Sequence, residues 1–132
     1  MTVAIDTSAL VAVVFGEPDA QSIAGILTRH AGDLVISAAT VVEASIVVES
    51  SQGPEATADL RLLLAILQVE VVPFDEAQAL AAVAAWQRFG KGRHPASLNL
   101  GDCHAYAPAR TVGADLLFKG DDFTQTDVRQ AT

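Results

Sequence analysis

The feature that most limits what this chain can fold into is an alternation. Four short apolar runs, Val3 to Ile5, Leu34 to Ile36, Val69 to Phe74 and Ala114 to Phe118, are separated by stretches of helical periodicity, never by a hairpin turn. Strands spaced by helices form βαβ units, and these build a parallel sheet covered on both faces. Six helices are predicted: Ser8 to Phe15, Asp19 to His30, Ser37 to about Ser51, Pro54 to Leu67, Asp75 to Phe89, and Gly101 to around Gly113. Gly16 closes the first, Pro54 opens the fourth, and Pro108 is expected to kink the sixth. Pro73 assigns its strand to a sheet edge or a strand terminus, and Val128 to Ala131 reads as a short final edge strand. The reading is one α/β domain over residues 1–132, with a parallel sheet of four or five strands and helices on both faces.

Length and composition fit that reading. A chain of 132 residues suits a single domain, and 51% hydrophobic residues supply an ample core. The excess is also enough to leave a protein interface at the surface. No uncharged run approaches the roughly 18 residues of a membrane span. The N-terminus shows no basic leader. Cys103 is the single cysteine, so no internal disulfide forms and a reducing, cytoplasmic setting is expected. A net charge of −8 argues against a broadly basic nucleic-acid surface. Its distribution matters more: Arg88, Lys91 and Arg93 cluster beside His94, while acids gather elsewhere.

Asp6 is the first of those acids. It ends an apolar strand and precedes Thr7 and Ser8, at the carboxyl edge where open α/β sheets bind ligands. Glu43 lies within the most apolar helix, where a lone carboxylate costs several kcal/mol unless it is paired, protonated or metal-bound. Its local alternative is a capping box with Thr40. Asp102 stands in the first turn of the sixth helix, a dipole-favoured place for an acid. Asp121 and Asp122 follow the fourth strand, as a polar turn would. Each acid alone has an ordinary explanation. Their shared placement on one rim does not follow from any of them.

Like charges about 4 Å apart repel by about 4 kcal/mol at an effective dielectric of 20. Converging carboxylates therefore call for a cation, and oxygen ligands select Mg²⁺ or Mn²⁺ over zinc. Such an ion acidifies water, polarises a phosphoryl oxygen and stabilises a leaving oxygen, the requirements of phosphodiester hydrolysis.

Val3 to Leu10, the embedded Glu43, Gly101-Asp102 and Leu116 to Phe123 together resemble the PIN domain, and more narrowly the VapC-type toxins of bacterial toxin–antitoxin pairs. Phe89 to His94, running on to Cys103, is similar to one branch of those toxins. The resemblance covers essentially the whole chain. It implies a PIN-like three-layer fold and a Mg²⁺-dependent endoribonuclease, with Mn²⁺ able to substitute. It also implies an inhibitory VapB-type antitoxin, an RNA substrate and a homodimer formed through the third to fifth helices. By the same resemblance, Asp6 and Asp102 are the principal metal ligands, and Glu43 binds metal or orients water. Many relatives carry Thr-x-Asp or Thr-x-Asn after this strand. Here Gly120 takes the acid's slot, so the fourth role falls to Asp122, with Asp121 as the alternative.

Thr7 and Ser8 are candidates to support Asp6, with Ser8 also a helix cap. Arg88, Lys91, Arg93 and Lys119 are candidates for RNA phosphate contact, against the plain reading of a solvated helix end and loop. Cys103 and His104 read as packing residues, and Trp86 and Phe89 as core or interface. Asn99 reads as a turn or cap. Two other classes use similar parts. A catalytically idle PIN fold would act only as a binding module. A phosphoacceptor receiver-like domain also uses strand-end acids, Mg²⁺ and a lysine after a strand, but no acid pair sits beside Asp6.

Overall fold

The alternation of strand and helix predicts a parallel sheet, and the computed structural model, which describes Met1–Thr132, contains one. In chain order the elements are β1 (Val3–Ile5), α1 (Thr7–Val14), α2 (Ala20–Arg29), β2 (Leu34–Ser37) and α3 (Ala38–Gln52). They continue with α4 (Pro54–Ile66), β3 (Glu70–Val72), α5 (Glu76–Phe89), α6 (Leu100–Val112) and β4 (Asp115–Leu117). The sheet order is β3-β2-β1-β4, and every pairing is parallel.

Successive strand side chains point to opposite faces, and that period divides the core. Val3, Ile5, Leu34, Ile36 and Leu117 pack into one apolar cluster with residues of α1 to α4. Ala4, Val35, Leu116 and Phe118 pack into a second with α5 and α6. The result is three layers. Ile5 is fully buried, so its truncation to alanine would cost about 2–5 kcal/mol.

Topology places the site. The chain steps from β1 to β2 to β3, and α5 and α6 then carry it back to β4 on the far side of β1. Strand order therefore reverses between β1 and β4. The crevice outside their carboxyl ends is the usual ligand position in such sheets. Asp6, directly after β1, donates its backbone N–H to Leu117 O at 2.9 Å, which ties the two strand ends together.

Several local expectations shift. The final strand reduces to a single parallel bridge, Leu116 to Gln130, held by Leu116 N–H to Arg129 O and Ala131 N–H to Leu116 O, both 2.9 Å. Four strands form the sheet, and β3 lies at its edge, beside Pro73. Asp6, not Ser8, caps α1. Ser37 caps α3, so the Thr40–Glu43 capping box does not form. α6 continues through Pro108 as one helix and ends on Gly113 in the left-handed conformation. α3 is apolar but not wholly buried: Val42 and Ile46 are 59% and 60% exposed. On α5, Leu80, Val83 and Trp86 are also exposed, so the apolar excess in the sequence appears at the surface. No helix is long and apolar enough to cross a membrane.

Candidate active site

At the β1–α1 junction the chain leaves an extended strand and needs an acceptor for the first free helix N–H groups. Asp6 supplies it. Its Oδ2 accepts from Ser8 N–H at 3.0 Å and from Ser8 Oγ at 2.5 Å. Ser8 Oγ in turn accepts from Lys119 N–H at 2.9 Å. Ser8 thus links Asp6 to the chain leaving β4. Asp6 is only 5% exposed. Burial raises its pKa, the two Ser8 hydrogen bonds oppose the rise, and the charges of Glu43 and Asp122 add to it.

Asp102 arrives from the opposite side, in the first turn of α6. Asn99 caps this helix in a reciprocal box: Asp102 N–H donates to Asn99 Oδ1 at 2.8 Å, and Asn99 N–H donates to Asp102 Oδ2 at 3.0 Å. The Asp102 carboxyl is raised to about 6: burial is the main cause, the Asn99 bond works against it, and the charges of Asp6, Asp122 and Glu43 add to the rise. Asp102 is both a helix cap and a member of the acidic group.

Glu43 reaches the same place from α3. Its Oε1 accepts from the Thr7 hydroxyl on α1, and its carboxylate lies against Gly101 on α6. Asp122 stands on the exposed turn after β4 and contributes charge to both Asp6 and Asp102. Asp121 appears in neither shift. Gly120 has φ +92°, a backbone geometry that an L-residue resists.

One pattern runs through Asp6, Glu43 and Asp102. Each has one carboxylate oxygen engaged by a protein hydrogen bond, and the other oxygen has no protein partner. No lysine or arginine pairs with any of these acids or with Asp122. As they stand, no three His, Cys, Asp or Glu side chains close on a point that would hold a metal ion. The donor chemistry nevertheless fits a hard divalent cation: carboxylate oxygens only, mutually repelling and lacking a basic partner.

The basic candidates divide. Lys119 Nζ is paired with Glu17 at 2.9 Å and with Asp19 at 3.2 Å, and those interactions raise its pKa. Arg88 is 3.0 Å from Asp127 and lies over the Phe89 ring. Lys91 and Arg93 are exposed and have no acidic partner. The Arg93 guanidinium stacks 4.7 Å from the Trp86 ring centre. Cys103 is buried, and His104 packs edge-on against Phe74. Both border an apolar cavity of about 650 Å³ formed with Val83, Trp86 and Leu100.

Sequence reasoning did not reach Asp127. It accepts from the Tyr106 hydroxyl at 2.8 Å and pairs with Arg88 and Arg110, joining the C-terminal segment to α5 and α6. The partners are scattered along the chain, and no local spacing signals them.

Comparison with known proteins agrees with this architecture. The PIN domain family profile matches residues 3–129. A protein from Mycolicibacterium smegmatis named ribonuclease VapC is 48% identical over 126 residues, covering 94% of this chain and 95% of the relative. Ribonuclease VapC30 of Mycobacterium tuberculosis is 43% identical over 125 residues, covering 94% of each. Among solved structures, Mycobacterium tuberculosis VapC20, described as a sarcin-ricin loop cleaving toxin, superposes with a TM-score of 0.81 at 14% identity, covering 98% of both chains. VapBC2 from Rickettsia felis, bound to a DNA fragment from its promoter, gives 0.77 at 16% identity, covering 98% of this chain and 96% of the other. The chain belongs to the PIN domain family, in the group of the VapC ribonucleases.

Proposed function

We propose that the chain is a Mg²⁺-dependent endoribonuclease, the toxin of a VapBC-type pair, which hydrolyses RNA phosphodiester bonds. The observation that most favours this reading is the rim itself. The charges of Glu43 and Asp122 act on both Asp6 and Asp102, Asp6 and Asp102 have raised pKa values, and none of the four acids has a basic partner. Close relatives named as ribonucleases give the same direction.

In this reading Asp6 and Asp102 are the principal ligands, each offering the oxygen left free by its cap. Glu43, held by Thr7, is a further ligand or orients the attacking water. Asp122 completes the set from the turn after β4, with Asp121 as the alternative. Ser8 fixes the Asp6 carboxylate through two hydrogen bonds to one oxygen and so directs the other outward. Bound Mg²⁺, or Mn²⁺ in its place, supplies Lewis acidity toward the phosphate and a more acidic water. Lys91 and Arg93 are the phosphate-contact candidates without acidic partners; Arg88 and Lys119 serve RNA only by sharing or releasing Asp127, Glu17 and Asp19.

A VapB-type antitoxin is the proposed inhibitor, by analogy with related toxin–antitoxin complexes. Two copies of the chain are proposed to pair through exposed apolar residues of α3 and α5, including Val42, Ile46, Leu80 and Val83. A cytoplasmic location fits the single cysteine. The test is cleavage of total RNA by protein freed of antitoxin. Activity should require MgCl₂ or MnCl₂, stop with EDTA, and vanish in Asp6→Asn and Asp102→Asn. Metal-independent cleavage, or full activity in either variant, would falsify the assignment.

A further inference from the structure

Glycine inside a helix costs stability relative to alanine, so a helical glycine needs a reason. Gly16, Gly32, Gly53, Gly92, Gly113 and Gly120 lie outside the helices and have a positive φ. Gly90, the C-cap of α5, and the two helical glycines, Gly25 and Gly101, do not. A β-carbon at Gly25 would meet only the end of Arg29, at 3.7 Å, whereas one at Gly90 would strike the Trp86 ring and backbone. At Gly101, in the first turn of α6, the obstacle is the Glu43 carboxylate. A β-carbon there would fall 2.7 Å from Glu43 Cδ and 2.8 Å from Oε1, and closer still to Oε2.

We propose that Gly101 is a positioning residue: its missing side chain is the space in which Glu43, held on its other side by the Thr7 hydroxyl, enters the acidic site. The obstacle decides what a substitution does. A carboxylate at the end of a flexible side chain rotates away easily, whereas a backbone atom does not. Alanine at 101 therefore leaves the fold intact and moves Glu43 out of the crevice. Asp102, the next residue along α6, keeps its Asn99 cap. This inference rests on the ribonuclease reading of the site.

The test is a cycle of wild type, Gly101→Ala, Glu43→Ala and the double variant, with Asp6→Asn as control. Cleavage of total RNA in MgCl₂ and the thermal midpoint in EDTA are both measured. Gly101→Ala should lower cleavage about 100-fold, as expected for a misplaced catalytic group. In the Glu43→Ala background the same change should cost no further cleavage. There it should raise the midpoint by about 1–3 °C, because alanine favours the helix once nothing obstructs it. The rise should be smaller or absent in the wild-type background.

Unchanged cleavage in Gly101→Ala would overturn the proposal. So would equal effects of the change in both backgrounds, which would assign the glycine's role to α6 itself or to RNA approach. If Asp6→Asn cleaves like wild type, the reading of the acidic rim as the ribonuclease site fails instead. The midpoint cycle, measured without metal or RNA, then still decides whether residue 101 governs the placement of Glu43.

Discussion

Two groups of acids in this molecule have opposite surroundings. At the C-terminal segment, Asp127 receives the Tyr106 hydroxyl and pairs with Arg88 and Arg110. Burial pulls its carboxyl upward, but these partners outweigh burial and hold it below the usual range. On the sheet rim, Asp6 and Asp102 receive hydrogen bonds from neutral cap neighbours only, Ser8 and Asn99, face other acids and are pushed upward. The chain has eight basic residues, and none pairs with the rim acids. Asp127 is an acid completed by its own fold. The rim acids lack such partners, the arrangement on which the proposed metal site rests.

The widest separation between the two groups should appear on neutralising one acid in each. Asp6→Asn should reduce RNA cleavage on the order of 1000-fold, about 4 kcal/mol of transition-state stabilisation. Its thermal midpoint in EDTA should stay level or rise, since a buried, repelled charge is gone. Asp127→Asn should leave cleavage near the wild-type rate. Loss of both stability and activity in Asp6→Asn would make the rim structural and erase the contrast.

The clamp is tested in stability. Asp127→Ala removes the acceptor of the Tyr106 hydroxyl and leaves two arginines unpaired. These groups are partly exposed, so the cost should be about 1–2 kcal/mol after screening. A fall in thermal midpoint of about 3–8 °C checks it. No change would mean the Asp127 network contributes no more than an isolated surface pair.

These two groups were not equally legible in the sequence. The rim acids follow apolar runs or open helices, so local pattern puts Asp6, Asp102 and the Asp121–Asp122 pair on one edge; Glu43 stands out as a carboxylate in an apolar helix, and the PIN resemblance selects Asp122 from its pair. The parallel sheet was legible for the same reason, because period and turn chemistry are local. What escaped depends on contacts remote in sequence. Ser8 reads as a cap and a support for Asp6, but its hydroxyl also accepts from Lys119 N–H, 111 residues away. Lys119 reads as a free cation and instead pairs with Glu17 and Asp19. The α3 sequence suggests burial, but Val42 and Ile46 face outward because Thr40, Ala44 and Val48 occupy the inner stripe.

Ser8 gives a finer test of how the rim is held. Ser8→Ala deletes the 2.5 Å bond to Asp6 and the acceptor for Lys119 N–H, while the backbone bond to Asp6 remains. Loss of such an orienting partner typically costs about 10-fold in metal affinity or activity. Calorimetric titration with MnCl₂ should show weaker binding with little change in fold. Equal affinity in wild type and Ser8→Ala would confine Ser8 to linking strand ends.

The smallest effect is the dependence of stability on pH, and there the two groups act with opposite sign. Asp102 titrates from 3.8 in the unfolded chain to about 6 in the folded protein, so between those values the folded state holds more protons. Its contribution is fully present below the unfolded value and is lost as pH rises through about 6. Asp6, also raised, works in the same direction. Asp127 is lowered, so its contribution is present above the unfolded value and is lost as pH falls through the folded one. In EDTA, urea midpoints at pH 5 and pH 7 should therefore show the wild type less stable at pH 7, by on the order of 1 kcal/mol for Asp102 after solvent screening. Asp102→Asn should flatten that slope, and excess MgCl₂ should flatten it in the wild type by stabilising the ionised carboxylates. Parallel profiles for wild type and Asp102→Asn would mean that the rim stores no such repulsion.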